Sequence, residues 1–402
     1  MKQKPHILMV LDHPFPHDLR VENEAFALIK EGFLVTVLSI SPDKRPLRES
    51  YKGIDIIRYH IGAQWQKKLR AVIPQFPLYG YIIQKAIYQA FKSEKFDYLH
   101  MHDLYLFGAG LKAKETLHIP VIGDLHENYV DALQHYQFTQ RFPMKYIFDL
   151  NKWRHLEKKW IIDADKIIVV IEEAFDRIRS LSVDKNNIII VPNTINIDEF
   201  DEYDINESIV QRHKDKFKIT YTGGIDLHRG IDTIIKAIPH IKDKIREVLL
   251  ILVGDGIIKN DLKKLAKRLG VSEHIKFEGW QPQDLIKSYI QNSDICIIPH
   301  RQTTHTNATI PHKLFHYMYM KKPVIVSNCK PLERIVTETN AGLVHKSDDP
   351  GSMSEKVIQL YSNKSARLRM GINGYNAVMN KYNWNVSSKS LINLYKTLSD
   401  KR

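Results

Sequence analysis

Short apolar runs alternate with longer amphipathic stretches along most of the chain. In the first half, Ile7–Leu11, Leu34–Ile40, Ile54–Tyr59, Tyr98–Met101, Val121–Gly123, Ile167–Val170 and Ile188–Val191 read as buried strands. Between the first two, Val21, Ala25, Leu28 and Ile29 share one helical face, and Gly32 follows as a stop. Periodicity then fades: an acidic stretch from Asn196 to Asp204 gives way to a basic one from Arg212 to Lys216, which marks a linker over 196–216. The pattern restarts with Phe217–Tyr221, Val248–Val253, Ile275–Glu278, Ile295–Ile298, Val324–Ser327 and Gly342–Val344. Strands separated by helices predict parallel sheets with crossover helices. The expected fold is therefore α/β: two Rossmann-like domains over 1–195 and 217–384, with a last helical stretch in 385–402 packing back on the first.

At 402 residues the chain is long enough for two cores. No apolar run approaches the ~20 residues that cross a bilayer. The first apolar run ends at Asp12 and His13, so no signal peptide is expected. Cys296 and Cys329 have neither ligand spacing nor a disulfide framework, which fits a reducing cytoplasm. The net charge of +13 favours anionic partners: nucleic acid, anionic lipid headgroups or phosphorylated substrates. It equally fits a solvated lysine surface. No helix-turn-helix, zinc or RNA-binding motif accompanies it, so nucleic acid is not expected as a partner. Two stretches mix aromatic and basic residues. One runs from Trp65 to Arg70 and on into Tyr79–Phe91. The other, Gln137–Trp160, interleaves Phe138, Phe142, Tyr146, Phe148, Trp153 and Trp160 with Arg141, Lys145, Lys152, Arg154, Lys158 and Lys159. Such a mixture suits peripheral contact with an anionic membrane surface. The rival is a helix with an aromatic core face, which the four-residue spacing of Leu156 and Trp160 favours.

Candidate chemistry gathers at strand ends. After Phe217–Tyr221 come Gly223 and Gly224, then Arg229 and Gly230 at the opening of a helix. Glycines that admit close backbone approach, a helix N-terminus and a full positive charge suit a diphosphate. No Gly-Lys-Ser/Thr follows, and no Gly-x-Gly-x-x-Gly is present, so neither a P-loop nor a dinucleotide site is implied. After Ile295–Ile298 a polar loop leads to a helix expected to begin near Ile310, with Pro311 in its first turn. There Lys313 can meet a phosphate, and His316 is either a hydroxyl-binding or a buried structural histidine. His126 lies at the edge of the strand Val121–Gly123, with Asp124 and Glu127 as neighbours that could orient or simply bond it. His100 and His102 alternate onto one strand face, but no further metal ligand is evident, and no metal site is expected. His13, Asp18 and Arg20 lie on the loop that leaves the first strand; Asp18 and Arg20 could bind hydroxyls or phosphate, and equally suit the start of the helix near Val21.

The ordered set of these segments resembles the family-4-type retaining glycosyltransferases of the GT-B fold. It includes Phe15 to Ala25, Asp124 to Glu127, Val191 to Phe200, Val253 to Gly256, Phe277 to Trp280, Ser293 to Pro299 and Lys313 to Ile325, and covers nearly the whole chain. The resemblance implies two domains facing across a cleft, with a nucleotide-diphosphate sugar as co-substrate on the second and a saccharide or lipid-linked acceptor on the first. It implies no cofactor and no metal. Gly223, Gly224, Arg229, Lys313 and the backbone from Thr309 through Ile310 and Pro311 to Leu314 should meet the diphosphate, and His316 a hydroxyl. Gly279 and Trp280 should lie near the base, and His126 near the transferred carbon. Three departures stand out. Gly224 replaces a common arginine, Arg229 replaces a lysine, and Ala308 and His316 replace two glutamates. The last keeps open a non-catalytic relative that binds a sugar nucleotide or supports a partner enzyme.

Overall fold

The computed structural model describes residues 4–400 apart from 43, 63–65, 67–68, 71, 75, 134–138 and 140–143, and the backbone alone at 144–145. The chain forms two compact units, Met1–Pro192 with Ser388–Arg402, and Asn193–Ser387.

The first unit is built on an eight-stranded sheet of β1 (His6–Leu11), β2 (Leu34–Ser41), β3 (Arg48–Tyr51), β4 (Ile54–His60), β5 (Tyr98–His102), β6 (Val121–Leu125), β7 (Lys166–Val169) and β8 (Ile188–Ile190). Its order is β3-β4-β2-β1-β5-β6-β7-β8, parallel throughout except for β3. The central strands β1, β5 and β6 are buried almost throughout, as expected where helices cover both faces, and β5 and β6 carry the buried polar residues His100, His102 and Asp124. The unexpected strand is β3. Its sequence is polar and mostly exposed, and it is set by the two-residue turn at Lys52 and Gly53, whose φ values are 48° and 86°. The last helix, Trp384–Asp400, crosses the boundary between the units. In the first unit its Tyr395 packs edge-on against Tyr98 with ring centroids 5.4 Å apart, and its hydroxyl lies 2.9 Å from His100 Nδ1.

The second unit has a six-stranded, all-parallel sheet in the order β11-β10-β9-β12-β13-β14. Its strands are β9 (Phe217–Thr222), β10 (Val248–Val253), β11 (Ile275–Gly279), β12 (Ile295–Ile298), β13 (Val324–Ser327) and β14 (Gly342–His345). The stretch 196–216 belongs to this unit rather than hanging as a linker. Its short helices, Ile197–Asp201 and Glu207–Val210, each bury one apolar side chain. Phe200 stacks on His316 with centroids 4.8 Å apart, and Ile209 joins Leu249, Ile251, Val253 and Tyr289. Ile197, Phe200, Ile205, Ile209 and Val210 are scattered through a charged stretch without a sustained period, so the sequence pattern concealed this docking.

Each sheet reverses its strand order once, at β1/β5 and at β9/β12. The carboxyl ends of strands at such a switch point are where α/β sheets bind ligands.

Candidate active site

In the second unit, β9 leads into Gly223, whose φ is 117°. A Cβ there would lie 2.6 Å from Lys313 Nζ, so glycine is what lets the ammonium reach the strand end. Lys313 Nζ also sits 3.9 Å above the ring centroid of Tyr221, whose hydroxyl donates to the Gly224 carbonyl at 2.7 Å. Arg229 lies in a short 3-10 turn, Leu227–Arg229, ahead of the helix Ile231–Lys242. Its Nη1 is 3.1 Å from His300 Nε2, and its buried Nε has no hydrogen-bond partner. Gly230 turns the chain at φ 64°; a Cβ would strike the Pro299 carbonyl oxygen at 2.0 Å, which packs the exits of β9 and β12 together.

Among the described residues, no carboxylate forms an ion pair with Lys313 or Arg229. Burial, and then the charge of Arg229, push the Lys313 ammonium well below its ordinary pKa. Burial, and then Arg229 and Lys313, hold His300 neutral. Two basic groups that meet at a strand end with no carboxylate partner among the described residues can accept an anion.

The helix bearing Lys313 runs from Lys313 to Tyr319, later than the sequence pattern suggests. Pro311 therefore precedes the N-cap His312 instead of occupying the first turn, because a proline drives the preceding Ile310 away from helical geometry. Ile310 and Leu314 are buried, and the Leu314 N–H donates to the Pro311 carbonyl at 3.1 Å. Thr309 is half-buried, with its hydroxyl on the His305 carbonyl. Burial, then His312, lower His316 to about 3, and its ring lies flat on Phe200. Trp280 is 72% exposed beside Gly279, whose φ is 74°.

In the first unit, Asp18 caps the helix Leu19–Lys30, accepting from the Arg20 and Val21 amides at 3.1 Å. Its other oxygen is 2.6 Å from His13 Nε2. Burial opposes the charge on His13, but Asp12 and Asp18 outweigh it and raise the imidazole to about 10. Arg20 corrects its expected acceptor role. It is 5% exposed, and its guanidinium is committed to Asp124 at 2.8 and 3.2 Å and to Glu24 at 3.0 Å. A buried carboxylate in mid-strand needs a counter-charge, and Arg20 supplies it.

His126 follows β6 directly. Its Nε2 lies 3.0 Å from Asp124 Oδ2 and 3.1 Å from His102 Nδ1, and its Nδ1 lies 3.7 Å from Asp103 Oδ1. Burial works against the imidazolium, yet Asp103 and then Asp124 raise it to about 9. With 19% of its side chain exposed, the ring stands at the carboxyl end of the sheet with its Nε2 engaged by Asp124. Of the two roles weighed for this residue, the bonded one is present in the structure. His100 and His102 stack at 4.4 Å, and Glu24 and Asp124 lie beside them, neighbours that the sequence did not reveal. Arg20 donates to Asp124 and lies 3.0 Å from Glu24 as an ion-pair neighbour. Of the aromatic–basic stretches, Trp65, Phe138, Arg141, Phe142 and the Lys145 side chain lie outside the described residues. Trp153 is fully buried, edge-on to Tyr129 and Trp160, as the core-face alternative requires.

Comparison with known proteins agrees with this arrangement. Residues 20–199 match the model for Glycosyltransferase Family 4, and residues 203–377 that for Glycosyl transferases group 1. An uncharacterised glycosyltransferase of Methanocaldococcus jannaschii is 22% identical over 92% of both chains. Sucrose-phosphate synthase from Thermosynechococcus elongatus superposes with a TM-score of 0.81 at 16% identity, over 99% of this chain and 100% of that one. The Anabaena protein HepE, solved in complex with UDP, does so at 0.72 and 13% identity over the same shares. The chain belongs to the family-4-type, group 1 glycosyltransferases and has their GT-B fold of two parallel-sheet α/β domains.

Proposed function

We propose that the protein transfers a sugar from a nucleotide-diphosphate donor to a saccharide or lipid-linked acceptor, with retention of anomeric configuration and without a metal ion. One observation carries this reading: Lys313 and Arg229 stand at the β9 exit as cations without a counter-ion. Neighbours solved with UDP and UDP-glucose support a nucleotide donor. The two cations stabilise the leaving diphosphate, as preorganised charge does where charge develops. Gly223, Gly224 and Thr309 line the diphosphate's approach, Gly279 and Trp280 the base's, and His316 a hydroxyl's. His126 is assigned to the sugar, and His13 and Asp18 to the acceptor. Positions 308 and 316 carry no carboxylate nucleophile. The reading is therefore a front-face displacement: the anomeric carbon–phosphate oxygen bond breaks, the acceptor oxygen bonds on the same face, and its proton passes to the departing diphosphate. Cell-surface polysaccharide or glycoconjugate synthesis in the cytoplasm is the setting this chemistry suits.

Thermal stability against a panel of nucleoside diphosphates and their sugars tests the donor site, because a ligand of the folded state raises the midpoint. A shift with one base identifies the donor. The absence of any shift at millimolar ligand would overturn the assignment. Binding without turnover across acceptors would select the non-catalytic relative, which the loss of both glutamates favours.

Peripheral docking on an anionic membrane is part of the proposal. Phe76, Leu78, Tyr81 and Tyr146 are exposed, and Phe76, Tyr146, Phe148 and Lys152 line one surface depression. Exposed aromatic residues beside lysines suit the headgroup layer. Sedimentation with phosphatidylglycerol vesicles should fall several-fold in Phe76→Ser/Tyr146→Ser. Equal sedimentation of the variant and the unchanged protein would remove this surface from the proposal.

A further inference from the structure

Asp103 stands between β5 and the helix Leu104–Leu117, where an aspartate ordinarily accepts hydrogen bonds from the first helical amides. Its side chain makes no such bond. Its backbone is held at φ 71° and ψ 142°, a region that residues with a Cβ seldom enter. The strain is locked in by its N–H, which donates to the Asp124 carbonyl at 2.8 Å, and by its carbonyl, which accepts from the Leu106 N–H at 3.1 Å. A forgone cap and a strained backbone at one residue point to another use for the side chain. The carboxylate is turned instead toward the sheet edge. Oδ2 accepts from the Tyr105 hydroxyl at 2.9 Å, and Oδ1 lies 3.7 Å from His126 Nδ1. The Tyr105 hydroxyl also lies 2.7 Å from Asp12 Oδ1, so its single proton is shared between the two carboxylates and keeps them both turned toward it.

We propose that Asp103 is a positioning residue that clamps His126 from its Nδ1 side, while Asp124 holds Nε2, so that the ring keeps one orientation. The clamp stands on this geometry; its value to catalysis rests on the assignment of His126 to the sugar. The other groups around the ring are consistent with it. From the helix Leu19–Lys30 and its cap come Arg20, which opposes the imidazolium, and Glu24 and Asp18, which are drawn down by it. From β5 comes His102, which burial and then His100 keep neutral. Burial also works against the His126 charge, and Asp103 is the leading carboxylate that offsets it.

The test uses the full chain with histidine labelled at C2, the His126 resonance being identified by its loss in His126→Gln. His126 should titrate near 9 in the unchanged protein. In Asp103→Asn and Asp103→Gly its pKa should fall by about one unit or more, the size expected for loss of a nearby opposite charge. Asp103→Gly should keep its melting temperature within about 2 °C or raise it, because glycine tolerates the backbone and Tyr105 retains Asp12. Unchanged His126 titration in both variants would overturn the proposal, whatever happens to stability. If His126→Gln retains full transfer while the titration shifts as described, the assignment to the sugar fails and the clamp survives.

Discussion

Asp124→Asn is expected to melt the first unit at a temperature lower by roughly 6–20 °C, corresponding to a loss of about 3–5 kcal/mol. Asp124 lies fully buried in β6 and receives two hydrogen bonds from Arg20 and one from His126. Burial alone would raise this carboxyl. Arg20 first, and then His126, outweigh burial and hold it well below the usual carboxylate range. The asparagine keeps the shape but leaves a guanidinium in the interior with only Glu24 to neutralise it. Glu24 itself is pushed up to about 8 by burial, against the pull of Arg20, so it is a poor replacement at neutral pH. Differential scanning calorimetry, with each unit assigned by ligand response, measures the effect. An unchanged midpoint would mean that the buried ion pairs are not intact in solution. The same cluster sets a pH limit. His126 at about 9 and His13 at about 10 lie above the unfolded value of 6.5, so their stabilisation is complete below that value and is lost as pH rises through 9 to 10. Glu24, raised from 4.5 to about 8, acts in the same direction between those values. Alkaline titration should therefore destabilise the unchanged first unit, and Asp124→Asn should flatten the His126 part of that loss.

The architecture was legible because both sheets are buried on both faces. Strands such as Val248–Val253 and Ile295–Ile298 coincide in sequence and structure, since a wholly apolar run has one natural fate in a parallel sheet. Failures came where one residue, not a pattern, decides the outcome. The polar strand β3 exists because of its turn, and the apolar anchors of 196–216 are Phe200 and Ile209, helped by polar contacts such as Tyr319 to Asp201 and Asn206 to Ser288. At the site, Gly223, Arg229 and Lys313 could be singled out as strand-end glycine and helix-start cations, although only coordinates bring Lys313 within reach of Gly223. Arg20 was misread because an arginine just past a cap normally faces solvent. Its burial is dictated by Asp124, distant in sequence. Asp103 left no signal at all: an aspartate before a helix reads as a cap, and only its φ of 71° and the direction of its carboxylate show otherwise.

Lys313→Met should abolish the response to nucleoside diphosphates while leaving the ligand-free second unit as stable as before or more so. The two signs follow from one arrangement. Without ligand, Lys313 is a half-buried cation facing Arg229, and both burial and that charge depress its pKa, so replacing it relieves a cost. With a diphosphate present, the same charge gains the partner it lacks. Removing one member of a desolvated ion pair costs about 2–5 kcal/mol of binding, or roughly 30- to 3,000-fold. Arg229→Gln should weaken binding similarly, and the double variant by less than the product of the two, because both cations act on one anion. The depressed ammonium adds a check independent of stability. An arriving diphosphate raises the Lys313 pKa toward its ordinary value, so binding above the depressed pKa takes up a proton. Calorimetric titration in two buffers of different ionisation enthalpy, run at a series of pH values that crosses the depressed pKa, should show this uptake on the alkaline side in the unchanged protein and not in Lys313→Met. If the variant keeps both its affinity and its proton uptake, Lys313 is not the diphosphate's partner. If the ligand-free variant instead loses several degrees of stability, the ammonium was serving the fold through Tyr221.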